Sequence, residues 1–199
     1  FCYMNGEELH EVISALSIKE GFIDFGAAPV EKLTAERLHL EKYIAEGHNA
    51  GMGYMAGNRS LREDPGLLLD GAKSVLCFLA PYKPLSIQDE SLPRIASYAY
   101  GMDYHRVIKD KLFKIIKEIK TLIPEATARA FTDSAPVFER TWAAKAGLGF
   151  IGKSTFLISR RYGLHTLIGV IILDREVKYG KMVPAGCGKC TKCLDSCPT

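Results

Sequence analysis

The strongest chemical signal in the sequence is the run Cys187-Gly-Lys-Cys190-Thr-Lys-Cys193-Leu-Asp-Ser-Cys197, followed by Pro198. Four of the six cysteines stand here, spaced C-x2-C-x2-C-x3-C-P, the spacing with which bacterial ferredoxins ligate [4Fe–4S] clusters. Short gaps let successive thiolates turn inward on one small cube, and the proline ends the turn. Zinc sites instead pair two C-x2-4-C units across a longer gap, and a disulfide framework spreads its cysteines along the chain. In two-cluster ferredoxins the fourth cysteine of such a run serves the other cluster, and the first cluster draws its fourth ligand from a second run. Cys2 and Cys77 are isolated and far from the run. The spacing therefore predicts a longer protein whose electron-transfer module continues past Thr199, with no intact cluster in this chain by itself.

A second stretch carries the letters of another chemistry. Gly147-Leu-Gly-Phe-Ile-Gly152-Lys153-Ser154 satisfies both the P-loop pattern and G-x-G-x-x-G. Both need a strand before the glycines and a helix after them, so that phosphate meets a helix N-terminus. Here the preceding residues 139–146 favour helix and the following 155–158 favour strand, so the order is inverted and nucleotide binding is set aside. The glycines are expected to let backbone approach a flat or bulky ligand closely. Asp133 ends a strand just before a helix, where an Asp is commonly an N-cap and where open α/β sheets also place ligand-binding groups. Asp103 caps the next long helix in the plainest reading, and Tyr104 and His105 after it fit either packing or a site. Cys77 lies inside an apolar run and reads as a small core residue.

These residues need a scaffold. With 199 residues, 47% of them hydrophobic, one globular domain of ordinary core size is expected, plus the start of another. A net charge of +3 forces no nucleic-acid or membrane partner and is merely compatible with an RNA substrate. No apolar run approaches the roughly 18 residues of a membrane span, and no signal peptide is evident. Cysteines clustered for metal imply a reducing compartment, the cytoplasm.

Apolar periodicity predicts helices over residues 7–19, 31–46, 106–122 and 136–145. In the third of these, Val107, Leu112, Ile115, Ile116 and Ile119 face inward. Strands are predicted over 21–25, 74–79, 127–131, 155–159 and 165–173, with 74–79, 127–131 and 165–173 central. A proline-bearing loop spans residues 81–93. The expected fold class is α+β, a mixed β-sheet flanked by helices.

Three stretches in this order, Asp133-Ser-Ala-Pro-Val-Phe-Glu139-Arg140, then Ala-Gly-Leu-Gly-Phe-Ile-Gly-Lys-Ser, then the cysteine run, resemble the epoxyqueuosine reductase family. Gly51-Met-Gly-Tyr-Met55, Arg62-Glu-Asp-Pro65 and Gly101-Met-Asp-Tyr-His105 add to the likeness, which runs from about residue 10 to the end. The resemblance implies a cytoplasmic oxidoreductase of queuosine biosynthesis. Such an enzyme reduces the epoxide of epoxyqueuosine in the tRNA anticodon to the cyclopentene of queuosine, with a base-off cobalamin fed by two [4Fe–4S] clusters and a cellular electron donor. It divides the chain into a cobalamin-binding catalytic domain, residues 1–182, and the first part of a two-cluster ferredoxin-like module, residues 183–199.

By the same likeness Asp133 is the proton donor and Arg140 its basic support. Arg62, Tyr104, His105, Gly152, Lys153 and Ser154 join Asp133 in lining the cobalamin and substrate cavity, and Cys187, Cys190, Cys193 and Cys197 hold iron. An Asp enclosed by a corrin face and apolar walls has its ionised form desolvated, so it donates at neutral pH. The family's second cysteine run and its helical-repeat tRNA-binding region are missing from this sequence, so the chain by itself is expected to be inactive. Two other readings stay open. One is a reductase of the same architecture acting on a small molecule, as cobalamin-dependent reductive dehalogenases do. The other is a non-enzymatic electron carrier, or a chain whose cysteines bind zinc.

Overall fold

The computed structural model describes residues 4–83, 88–89 and 91–198. Cys2, Thr199 and part of the proline-bearing stretch between residues 81 and 93 lie outside the described residues. In chain order the elements are α1 (Gly6–Lys19), β1 (Asp24–Pro29), α2 (Thr34–Ala45), α3 (Arg59–Glu63), β2 (Ser74–Pro81), α4 (Tyr104–Leu122), β3 (Ala128–Phe131), α5 (Glu139–Lys145), β4 (Phe150–Ile151), β5 (Leu157–Ile158), β6 (Thr166–Leu173) and α6 (Lys192–Asp195).

β1, β2, β6 and β3 form one sheet in that spatial order. The fold class is α+β as expected, but the sheet is not mixed, because every pairing in it is antiparallel. The reason is the slot that β6 takes. β2 and β3 run in the same direction with α4 as their crossover, the arrangement a strand–helix–strand sequence announces. The last strand then inserts between them and pairs antiparallel with both. For the same reason β3 is an edge strand rather than a central one, while β2 and β6 are central.

β2 is buried along almost its whole length, as its unbroken apolar run requires of a strand covered on both faces. Leu76 and Phe78 join Ile171 and Leu173 against α1 and α4. Val75, Cys77 and Leu79 join Val170 and Ile172 against α5, with the fully buried Trp142 in that layer. Burial pushes the Cys77 thiol well above its ordinary pKa, which agrees with an inert core residue. On α4 the buried positions are Ile108, Leu112, Ile115, Ile116 and Ile119. Ile108 thus takes the inward place expected of Val107. Gly169 on β6 lets this helix approach: a Cβ there would lie 2.9 Å from Ile108 Cγ2 and 3.1 Å from Leu112 Cδ1.

The stretch with P-loop letters folds as its context required. α5 precedes it, and β4 inside it pairs with β5 as a small antiparallel hairpin. Gly149 serves that hairpin, since a Cβ would collide with the Ile158 carbonyl group. The close backbone approach that Gly149 allows is to β5 of the same chain.

Candidate active site

The site is built where α4 leaves one end of the sheet and β3 returns to it. Asp103 is the N-cap of α4; its Oδ1 accepts the His105 main-chain N–H at 3.0 Å, the satisfaction of an orphan donor that favours Asp at this position. The same oxygen lies 2.7 Å from His105 Nδ1. The cap expected of Asp103 is present, and the same carboxylate also holds the His105 ring.

At the other side, Phe131 ends β3 and the buried Thr132 donates its hydroxyl to the Ile168 carbonyl at 3.0 Å. This ties the strand end to β6, and the next residue, Asp133, projects from the edge. Tyr104 Oη donates to Asp133 Oδ2 at 2.5 Å, and His105 Nε2 lies 3.2 Å from the same oxygen. The rings of Tyr104 and His105 stack with centroids 4.0 Å apart. Three residues named from sequence thus meet at one carboxylate oxygen, in a string that runs Asp103, His105, Asp133, Tyr104.

The electrostatics follow from the contacts. Asp103, then Asp133, raises the His105 pKa above its ordinary value. Partial burial and the hydrogen bond to Asp133 hold the Tyr104 phenol well above the usual range, so it stays a donor. Asp133 itself is 61% exposed at its side chain. The described residues do not by themselves supply the desolvated setting expected for an acid under a corrin face.

That setting falls to Glu139, a residue to which sequence reasoning gave no role. It is the first residue of α5 and half-buried, and its Oε1 accepts the Asp133 main-chain N–H at 2.5 Å. Desolvation, reinforced by the Asp133 charge, pushes its carboxyl up to about 7. The only local sequence signal was an acidic residue in a helix first turn, which by itself reads as a dipole partner.

The remaining predicted residues separate. Arg140 Nη1 donates to the Thr155 carbonyl at 2.6 Å, bridging α5 to the β4–β5 hairpin rather than bonding Asp133. Lys153 Nζ donates to the carbonyls of Gly188 and Cys190 at 2.9 and 3.0 Å, so the lysine of the P-loop pattern tethers the cysteine run. Gly152 lies beside that run as well; a Cβ on it would sit 3.5 Å from Cys187 Sγ. Arg62 Nε and Ser154 Oγ are buried without a hydrogen-bond partner among the described residues. The Nε1 of the core residue Trp142 is orphaned in the same way, and a buried polar atom of this kind takes a partner from water or a bound ligand.

The cysteine run folds as a turn followed by the short α6, with the Cys190 N–H donating to the Cys187 carbonyl and that of Cys197 to the Leu194 carbonyl. Cys190, Cys193 and Cys197 are exposed and Cys187 half-buried. The donors have the type and spacing of a cluster site. Among the described residues, however, no three such side chains are gathered at metal-binding separation, and small metal sites commonly close only on their metal.

A cavity of about 390 Å³ borders the string, with Tyr104 in its wall beside Tyr82, Tyr98, Tyr100, Met102 and Lys111. Tyr98 meets Tyr82 and Tyr104 edge-on, at centroid distances of 6.4 and 6.0 Å. No helix among the described residues is long and apolar enough to cross a membrane.

Comparison with known proteins agrees with this geometry. Residues 62–134 match the family model described as epoxyqueuosine reductase QueG, DUF1730. A curated epoxyqueuosine reductase from Cellulophaga algicola is 42% identical over 197 residues, covering 98% of this chain and 64% of its relative. One from Leadbetterella byssophila is 41% identical over 187 residues, covering 94% and 62% respectively. The chain thus spans a little over three fifths of the length of these relatives.

Among solved structures, epoxyqueuosine reductase from Streptococcus thermophilus superposes with a TM-score of 0.87 at 29% identity, over 95% of this chain and 52% of that one. An epoxyqueuosine reductase solved with an epoxyqueuosine-modified tRNA-Tyr stem loop gives 0.87 at 25% identity, over 96% and 52%. A B12-dependent reductive dehalogenase shares the fold alone, with a TM-score of 0.56 at 15% identity over 92% of this chain and 22% of that one. Over nearly its whole length, the chain is similar to epoxyqueuosine reductases in both sequence and fold.

Proposed function

We propose that this chain is the catalytic portion of an enzyme that reduces the epoxide of epoxyqueuosine in tRNA to the alkene of queuosine. The observation that carries the reading is the convergence of Tyr104 and His105 on Asp133 Oδ2 at the open end of the sheet, in a chain alignable over nearly its whole length with epoxyqueuosine reductases. Removing an epoxide oxygen to leave an alkene takes two electrons and two protons and releases water. Cobalamin, when bound, would supply the low-potential electrons that no side chain can, with [4Fe–4S] clusters and a cellular donor as their source.

The protein's task is orientation and proton delivery. Asp133 protonates the departing oxygen. A protonated His105 passes its Nε2 proton to Asp133 Oδ2 and is itself held by Asp103 at Nδ1, which fixes the ring and favours its charged form. The Tyr104 hydroxyl orients the Asp133 carboxyl. Arg62 and Ser154, whose buried polar atoms lack partners among the described residues, would hold the corrinoid together with Gly152. Cys187, Cys190 and Cys193 are ligands of one cluster and Cys197 of the other, within a ferredoxin-like module that begins near residue 183. The cytoplasm supplies the reducing conditions these thiolates need.

The test uses full-length protein reconstituted anaerobically with cobalamin, iron and sulfide. Mass spectrometry of an epoxyqueuosine-containing anticodon stem loop should show loss of one oxygen under reducing conditions. Absence of corrinoid binding, or binding without conversion, would sink the proposal.

A further inference from the structure

Asp133 is held in a backbone conformation that few L-residues adopt, Asp and Asn most readily among them. Its φ of 55° lies in the left-handed region, which costs a non-glycine residue on the order of 1–3 kcal/mol unless its surroundings over-determine it. Three contacts span the turn. The Ser134 N–H and hydroxyl donate to the Thr132 carbonyl at 2.6 and 3.4 Å, and the Asp133 N–H donates to Glu139 Oε1 at 2.5 Å. Of these, the bond to Glu139 is the one that reaches in from another element.

Glu139 is itself rigidly mounted. α5 is pinned to the sheet by the buried Trp142, Ala143 and Ala144, so the carboxylate reaches back from a fixed point. Its neighbour Arg140 is turned away to Thr155, and Glu139 makes no ion pair among those identified in the described residues. A half-buried carboxylate whose identified hydrogen-bond partner is one main-chain N–H is costly to keep unless that bond is its purpose.

We infer that Glu139 is a positioning residue that clamps the Asp133 main chain in the left-handed conformation, so that the Asp133 carboxyl stands between Tyr104 and His105. The inference rests on the reading of Asp133 as the acid. The titratable groups around the Glu139 carboxylate are Asp133, Arg140 and His105, with Tyr104 of α4 and Cys77 of β2. Its ionised form is the stronger acceptor for the amide, so the clamp tightens as the group deprotonates near neutral pH.

The experiment follows amide hydrogen exchange at Asp133 and steady-state kinetics in the full-length protein carrying Glu139→Ala, Glu139→Asp or Glu139→Gln. Removing a hydrogen bond to a charged group should speed exchange at Asp133 about tenfold or more in Glu139→Ala, while amides of β2 and β6 keep their wild-type rates. In the same variant kcat should fall about tenfold or more with KM within about twofold, since misplacing a reacting group affects the chemical step. Glu139→Gln keeps an acceptor oxygen and should recover most of both. If Glu139→Ala also loosens β2 and β6, Glu139→Asp decides, because it keeps the charge and shortens the reach; faster exchange confined to Asp133 supports the clamp. Unchanged exchange at Asp133 in a variant with an intact core overturns it. A wild-type enzyme that fails to turn over refutes the functional reading instead, and the exchange measurement still judges the clamp.

Discussion

His105 Nε2 lies 3.2 Å from Asp133 Oδ2 although 28 positions separate the two residues in the chain. The first sits in the opening turn of α4 and the second just past the end of β3, so a helix and the strand it leads to deliver their ends to one point. With Asp103 on the far nitrogen of the ring, this is a two-carboxylate imidazole, and its chemistry is testable residue by residue.

Asp133→Asn should keep the fold, because the side chain is exposed and the amide remains able to meet Tyr104 and His105. Epoxide reduction should fall by about 10²-fold or more, the scale of a positioned acid. Single-turnover conversion in full-length protein is the measurement, and an unchanged rate would leave Asp133 with a conformational role only.

The pH profile should report His105. Its pKa is raised chiefly by the hydrogen bond to Asp103, and it is the charged form that donates, so activity is present below that pKa and lost as pH rises through it. Asp103→Asn removes the largest cause, returns the pKa toward its ordinary value and moves the alkaline limb to lower pH. A limb that stays in place, or moves upward, contradicts the relay.

Stability should carry the signature of Glu139. Its carboxyl is raised to about 7 in the folded chain from an ordinary 4.5. The folded state thus binds that proton more tightly than the unfolded one, and the associated stability is full below about 4.5 and lost as pH rises to about 7. The loss is on the order of 1–3 kcal/mol for a group that keeps some contact with water. Urea midpoints at pH 5 and pH 8 should differ more in wild type than in Glu139→Gln. His105 contributes in the same direction to both proteins, so the comparison isolates Glu139.

Lys153 should prove to be a tether and not a phosphate ligand. In Lys153→Met the amides of residues 188–193 should exchange faster, since the bonds to the Gly188 and Cys190 carbonyls are gone. ATP with Mg²⁺ should protect no part of residues 147–154 in wild type. Protection by ATP that disappears in Lys153→Met would restore the phosphate-loop reading.

Much of the scaffold and several site residues were legible in the residues themselves. Helical spacing located α1 and α4, an unbroken apolar run located β2, and the order helix–glycines–strand excluded a phosphate loop, because these are local properties that neighbouring residues enforce. The grouping of Asp133 with Tyr104 and His105 came from resemblance to a family, and the structure brings the three together. Strand pairing was not legible, since a strand–helix–strand pattern announces a crossover but does not say that β6 will fill the gap between β2 and β3. The tasks of Lys153 and Glu139 were hidden for the same reason. Lys153 stood in a letter pattern for phosphate, yet its amine is satisfied by carbonyls 35 and 37 positions away. Glu139 looked like an ordinary acid at a helix start, and only the fold of Asp133 into left-handed backbone aims an N–H at it. Local sequence sets what each segment can become; burial, pairing order and the reach of one side chain to a distant main-chain group are settled when the segments pack.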